Sequence, residues 1–397
     1  MTSTTQSSSG QSAYSQLRSG LLLRSIPALD GIRAIAVFLV ILYHLGIQRA
    51  LPVFPGPLGV LGFFVLSGFL ITWLLIKEEE KYGSISLKEF YRRRALRIFP
   101  AFYVFWIVAV ASRFVTHRQD VPWSQAISAF FYVSNYFHAI FHPTPDYMIH
   151  TWSLSAEEQF YLLWPLSFVM LSKKKRLLML GLGSGIAAIW VHRVHLWIVA
   201  QASNYITYAF DTRADALLVG CLLALALKEG LGKGLLEKVC RPVWAPVITI
   251  LLIGVSVFAG QLSEGYKLTG GLAIEPLLVA ILMCQLVVHS ASGPWKWLNA
   301  KSMVYLGKIS YPLYLYHMLA THLATRLDAR IPGSNTPLFV TTGIFLAVLI
   351  ASCSYQFVEK PFLALKDKSS SPSTAARMPL SSPRVGDRTR PSATPAS

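Results

Sequence analysis

The sequence predicts an all-α protein, a polytopic membrane helix bundle with about ten transmembrane helices and both termini cytoplasmic. Three observations carry that reading. Of 397 residues, 53% are hydrophobic and only 14% charged, where a soluble domain carries nearer a quarter charged; mean hydropathy is +0.48. Apolar stretches of roughly 20 residues, enough to cross a bilayer core, recur between short polar loops. The basic residues behind the net charge of +17 collect in particular loops rather than on one face or domain. That is the positive-inside pattern, and it argues against nucleic acid as a partner. The alternating ten-residue segments of an outer-membrane barrel are absent.

In chain order the spans fall at 28–47, 58–76, 98–115, 154–172, 177–199, 211–227, 243–261, 270–290, 303–325 and 336–357. The segment 126–141, "AISAFFYVSNYFHAIF", is apolar enough to compete as another span, but counting it would turn "KKKR" (173–176) and every later basic loop outward. Without it, seventeen Lys and Arg lie inside: seven in 77–97, four in 173–176, four in 228–241 and two in 291–302. Five lie outside: Arg49, Arg118, Lys267, Arg326 and Arg330. Orientation follows that bias, which makes 126–141 a re-entrant or interfacial segment on the outer side. Residues 26–365 form the membrane domain. Residues 1–25 are Ser/Thr-rich without a signal-peptide pattern and 366–397 are Ser/Pro/Arg-rich, so both read as disordered tails. The four cysteines lack metal-ligand or paired spacing, and no metal site is expected.

The first span, "GIRAIAVFLVILYHLG", keeps Arg33 and His44 in an apolar run. Eleven residues apart, they lie about 20° apart around the axis and roughly 16 Å along it. Asp30 precedes Arg33 by three residues and is placed to pair with it. A snorkelling arginine and an interfacial histidine are common near helix ends, so this pair alone defines no site. The third span is entered through "EFYRRRALRIFPAFY", where Arg94 and Arg97 share a helix face beside Arg92 and Arg93. Guanidinium forks suit phosphate oxygens, although anchoring alone also collects arginines here. The fourth begins "HTWSLSAEEQFYLLWP". Glu157 and Glu158, as adjacent helical residues, point about 100° apart, so at most one aims squarely at a given site. "SLSAEE" also reads as an N-cap with acids in the first turn. Ser310, Tyr314 and His317 form a polar stripe at i, i+4, i+7. Asp211, Arg213 and Asp215 stand at the mouth of another span, where the two aspartates share a face and could bracket a cation or hydroxyl, or belong to a local ion-pair cluster. Ionisable groups on five helices of one bundle point to a functional site. No P-loop, GxSxG elbow or HExxH supports a hydrolase reading.

With those residues laid out, the chain resembles acyltransferase family 3, the integral-membrane O-acyltransferases, over roughly Ile26 to Leu365. The marks are "LDGIRAIAVFLVILYH", "GFFVLSGFLIT", "FYRRRALRIFPAFY", "TWSLSAEEQFYLLWP", "RADALLVGCLLA", "ISYPLYLYH" and "VEKPFL". The family's Arg-x10-His pattern falls on Arg33 and His44, and its Arg-x-x-Arg pattern on Arg94 and Arg97. The resemblance is to members without a fused SGNH-type esterase domain. It implies a multi-pass protein of the cell membrane, the bacterial inner membrane, that moves an acyl group, often acetyl, from cytoplasmic acyl-CoA to a hydroxyl. Acceptors implied are cell-surface or exported carbohydrates or other small hydroxylated molecules; acyl-CoA is the donor substrate, with no permanently bound cofactor.

On that implied chemistry, His44 is the general base, since an imidazole suits proton removal at neutral pH. Arg94 and Arg97, with Arg93, hold the CoA phosphates, and the pantetheine arm runs past Arg33. Glu158 or Glu157 orients His44 or the acceptor. Asp30, Ser310, Tyr314, His317, Arg213 and Asp215 support the site or the acceptor path. The rival reading is a transporter or flippase of a glycan or lipid with a buried polar relay. Such proteins often show two related halves with broken helices, and no internal repeat is visible.

Overall fold

The computed structural model describes residues 12–22, 26–51, 54–116, 122–143, 148–290, 293–328 and 336–369, all helix, turn and loop with no strand among them. Ten helices of 18 residues or more carry the architecture: α1 Pro27–His44, α2 Gly56–Tyr82, α3 Leu87–Thr116, α4 Thr151–Leu171, α5 Lys175–Ala200, α6 Phe210–Glu229, α7 Ala245–Leu262, α8 Leu272–His289, α9 Ser310–Asp328 and α10 Thr336–Ser354. Each expected span falls on one of them.

Seven segments are long and apolar enough to cross a membrane: Pro27–His44, Gly56–Tyr82, Leu87–Ser112, Lys175–Ala200, Ala245–Leu262, Glu264–His289 and Pro337–Leu365. The protein is therefore a multi-pass membrane protein. The remaining three long helices, α4, α6 and α9, fall outside those seven for a reason that bears on function. They carry Glu157 and Glu158, Arg213 and Asp215, and Tyr314 and His317, polar groups that a bundle interior shelters and a lipid face does not.

Close helix packing explains how those groups are brought together. A Cβ on Gly68 of α2 would strike the Leu217 carbonyl of α6, and one on Gly220 of α6 would strike the Val65 carbonyl of α2. The two backbones approach so closely that only glycine fits, the small-residue device of membrane helix pairs. Gly307, on the short helix Lys301–Lys308, lies likewise against the Asp30 carbonyl of α1. The apolar core has two parts. Phe64, Phe69, Leu75, Phe160, Phe168 and Leu217 pack around α2, α4 and α6. Ile41, Phe102, Phe105 and Leu313 pack around α1, α3 and α9.

The stretch 126–141 divides between two eight-residue helices, Trp123–Phe130 and Ser134–Phe141, broken where Tyr132 takes a φ of 54°. Each is about 12 Å long, too short to cross hydrocarbon. Side chains pin the second of them to α4. Ser134 Oγ lies 3.0 Å from both Thr151 Oγ1 and Ser155 Oγ, and Asn135 and Gln159 exchange amide hydrogen bonds at 3.1 and 2.9 Å.

Two readings need correction. Within the stretch taken as an N-terminal tail, Ala13–Leu22 is a helix. Tyr14 and Leu17, one turn apart, are buried, and the Tyr14 hydroxyl donates to the Leu227 carbonyl at 2.8 Å. Two apolar anchors suffice where composition suggested none. At the other end the helix Lys360–Ser369 runs past residue 365. Residues 1–11 and 370–397, with Arg118, Asp146 and Arg330, lie outside the described residues. The second correction concerns α4, which starts at Thr151 after the N-cap residue His150. Glu157 and Glu158 therefore sit in its second turn and cap nothing.

Candidate active site

A cavity of about 390 Å³ lies between the two core clusters, walled by α1, α2, α3, α4 and α9. Helix α1 contributes Asp30 and Arg33, whose guanidinium and carboxylate meet at 2.8 Å as the i,i+3 spacing predicts. Helix α2 contributes Ser67 and Lys77, and α3 contributes Arg94 and Arg97. Helix α4 contributes Ser153, Glu157, Glu158 and Tyr161, and α9 contributes Ser310 and Tyr314. Side chains from "LDGIR", "VLSG", "RRRALR", "SLSAEEQFY" and "ISYPLY", remote in sequence, thus line one space.

Its polar groups differ in how far they are satisfied. Tyr161 donates to Ser67 Oγ at 3.0 Å, and Ser67 donates to Glu157 Oε1 at 2.6 Å, a short chain tying α2 to α4. The Arg94 guanidinium lies 4.1 Å from the centre of the Tyr161 ring, a cation–π contact. Among the described residues no carboxylate comes within ion-pair distance of Arg94 or Arg97. Two guanidinium forks one helical turn apart thus stand on the cavity wall, sharing the space with Glu157 and Glu158 rather than pairing with them. Arg93 differs. It pairs with Glu78 at 2.5 Å, fastening α2 to α3, and does not line the cavity.

Both glutamates line the cavity, contrary to the expectation that only one could. The 100° step holds for a small target, but this space spans enough of α4 to meet both. Neither orients His44. The His44 Nδ1 instead lies 2.9 Å from the Val40 carbonyl of its own helix. A carbonyl only accepts, so Nδ1 carries the hydrogen and Nε2 keeps the lone pair of the neutral ring.

His44 is not part of the cavity lining. It belongs to a cluster just beyond it: the His317 ring is 4.9 Å from both His44 and His150, and the Tyr314 ring lies 5.5 Å from His317, tilted, and 5.6 Å from His150, edge-on. His317 Nδ1 donates to the Tyr314 carbonyl at 2.6 Å. His150 and His317 are 2% and 0% exposed, whereas His44 keeps partial exposure. The partition between cavity and cluster is Tyr314 and Ser153, which line the former and touch the latter. Their hydroxyls meet at 2.6 Å, and Phe63 packs edge-on against Tyr314.

Arg213 and Asp215 stand apart from this cavity. Asp215 is enclosed by Arg193 at 2.7 Å and Trp190 at 3.0 Å, and Arg213 lies over the Trp152 ring at 5.7 Å. Asp211 and Asp215 therefore do not bracket a common ligand; each has its own protein partners. Three residues escaped the sequence reading. Ser67 and Glu359 lie inside quoted motifs, but only the fold shows Ser67 against Glu157, and Glu359, buried on a π-helical turn at Tyr355–Glu359, among the charges acting on Arg97. His150 heads the α4 motif and would have been found by weighing every histidine beside an apolar run.

The fold and site are those of a multi-pass helix bundle with an arginine- and glutamate-lined cavity beside a buried histidine cluster. The chain belongs to the acyltransferase domain family, acyltransferase family 3, whose pattern matches residues 26–355. It is 34% identical over 355 residues to the peptidoglycan O-acetyltransferase OatA of Listeria monocytogenes, covering 85% of this chain and 55% of that protein. Against the O-acetyltransferase OatA of Staphylococcus aureus the identity is 32% over 376 residues, covering 85% and 57%. The chain thus spans little more than half the length of these curated relatives. No solved structure matches it.

Proposed function

We propose that the protein is an O-acetyltransferase of the bacterial cell membrane that takes an acetyl group from cytoplasmic acetyl-CoA and passes it to a hydroxyl of a cell-wall carbohydrate. The observation that carries this reading is the pair of guanidinium groups, Arg94 and Arg97, free of ion pairs among the described residues, in a cavity linked to His44 through Tyr314 and His317. The names of the relatives support acetyl as the group and peptidoglycan as the acceptor. The excess of Lys and Arg in 77–97 and the later loops favours a cytoplasmic side for these arginines, which supports an acyl-CoA site reached from that face.

In this reading Arg94 and Arg97 hold phosphate oxygens of the donor, and the pantetheine arm follows α1 from Arg33 toward His44, a rise of roughly 16 Å. The thioester crosses the Tyr314–Ser153 partition to meet the acceptor. His44 Nε2 takes the proton of the acceptor hydroxyl as its oxygen attacks the thioester carbonyl carbon. The C–S bond breaks, the acetyl group leaves on the acceptor oxygen, and the proton returns to the CoA thiolate. Glu157 and Glu158 balance the positive wall of the cavity. The experiment is CoA release from acetyl-CoA by the purified protein in detergent, with and without soluble peptidoglycan strands. Acceptor-dependent release with acetylated product supports the reading; a transporter of the same glycan would release none.

A further inference from the structure

A second cavity, of about 620 Å³, lies away from the first, between the C-terminal end of α5, the helix Ser134–Phe141 and the helix Ser203–Tyr208. Its polar lining is His142, His192, Gln201, Ser203, Asn204 and Tyr205. One carboxylate, Asp211 at the start of α6, fastens all three walls. Tyr136 donates to its Oδ1 at 3.0 Å, His192 Nε2 lies 3.1 Å from Oδ2, and the Tyr205 hydroxyl reaches both oxygens at 3.3 Å. Two of the three non-glycine residues with left-handed backbones among the described residues, His142 and Gln201, border this one space, with φ of 49° and 48°. Such conformations persist where surrounding structure enforces them, and they gather at ligand sites.

The lining selects among ligands. It holds no lysine or arginine, so it offers a phosphate no charged fork or ammonium. Two amides, two imidazoles, a phenol and the Ser203 hydroxyl present donors and acceptors in several directions, with Asn204 already in contact with His142, and Ile140 and Leu196 add apolar surface. That mixture fits a ring with hydroxyls around its edge and C–H groups on its faces. The position fits as well. Tyr208, three residues from Tyr205 on the same short helix, packs edge-on against the Trp152 ring at 5.4 Å, and Trp152 lies two residues beyond His150 of the histidine cluster. The second cavity is thus joined to the histidine cluster through the Tyr208–Trp152 contact.

We infer that this second cavity is a subsite for a sugar ring of the acceptor; the inference rests on the acetyl-transfer reading above. The sugar can arrive on a lipid carrier or as part of a soluble glycan strand, and the test separates the two. Full-length protein in nanodiscs is assayed with acetyl-CoA and either a lipid-linked disaccharide or soluble peptidoglycan strands, as wild type, Asn204→Ala and Ser203→Ala. Losing one hydrogen bond to the sugar should raise the acceptor KM about tenfold, for whichever acceptor uses the subsite, while acetyl-CoA KM stays at the wild-type value. Wild-type turnover reports on the acetyl-transfer reading by itself. A photo-crosslinking residue at Leu196 should capture the sugar-bearing acceptor. Unchanged KM for both acceptors in folded Asn204→Ala protein, or capture of phospholipid alone, overturns the subsite even when wild-type transfer is intact.

Discussion

Replacing Arg97 with alanine removes one of two guanidinium groups from the cavity wall without breaking an ion pair within 4 Å, because none is formed among the described residues. If the wall holds donor phosphates, the variant loses a charge-assisted hydrogen bond worth about 1.5–3 kcal/mol. That corresponds to a roughly 10- to 150-fold weaker acetyl-CoA dissociation constant. Arg94→Ala should lose as much and also the stacking on Tyr161, a further contribution of about 0.5–2 kcal/mol to the protein itself. The two variants should thus resemble each other in binding and differ in thermal unfolding, with Arg94→Ala the less stable. Lysine at 97 should restore part of the affinity, keeping the charge and losing the fork. The assay is titration calorimetry with acetyl-CoA in detergent, beside thermal unfolding of each variant. Wild-type dissociation constants in both alanine variants would refute the donor site.

The remaining expectations follow the same geometry. Ser67→Ala should destabilise the protein by about 1–3 kcal/mol, since it strips Glu157 of its donor and Tyr161 of its acceptor; thermal unfolding reads this, and an unchanged midpoint contradicts the chain. Arg193→Ala should cost about 3–5 kcal/mol by stranding the buried Asp215, yet leave acetyl-CoA affinity alone; weakened donor binding in folded protein would return this pair to the site. Gly220→Ala should destabilise by about 1–3 kcal/mol because the α2 backbone leaves no room for a methyl, again read by unfolding. Cysteine at the exposed Ser124, in a background lacking native cysteines, should react with an impermeant thiol reagent from outside; labelling from the cytoplasm alone would reverse the orientation.

Much of this was legible in the sequence for identifiable reasons. The ten long helices showed because each apolar run is bounded by polar loops, and Asp30–Arg33 showed because the partners are one turn apart. Arg94 and Arg97 showed for the same reason, their spacing giving a shared face. What stayed hidden depended on contacts between helices. Nothing local says that Tyr314 and Ser153, 161 residues apart, share a hydrogen bond, or that His150 and His44 flank one imidazole. The misread N-cap at "SLSAEE" has a similar origin. Its serines match a capping pattern, but the turn at Met148–Thr151 starts the helix earlier, and Ser153 and Ser155 are used inside the bundle. Composition misjudged Ala13–Leu22 because two buried side chains, not an average, hold that helix.

The central claim is that His44 removes the acceptor proton, and the most direct measurement is the transfer rate of His44→Gln at saturating acetyl-CoA and peptidoglycan acceptor. Loss of a general base costs about 10²–10⁴ in rate. The account predicts a folded protein with wild-type acetyl-CoA affinity and turnover reduced by that factor. Wild-type turnover in His44→Gln would contradict it.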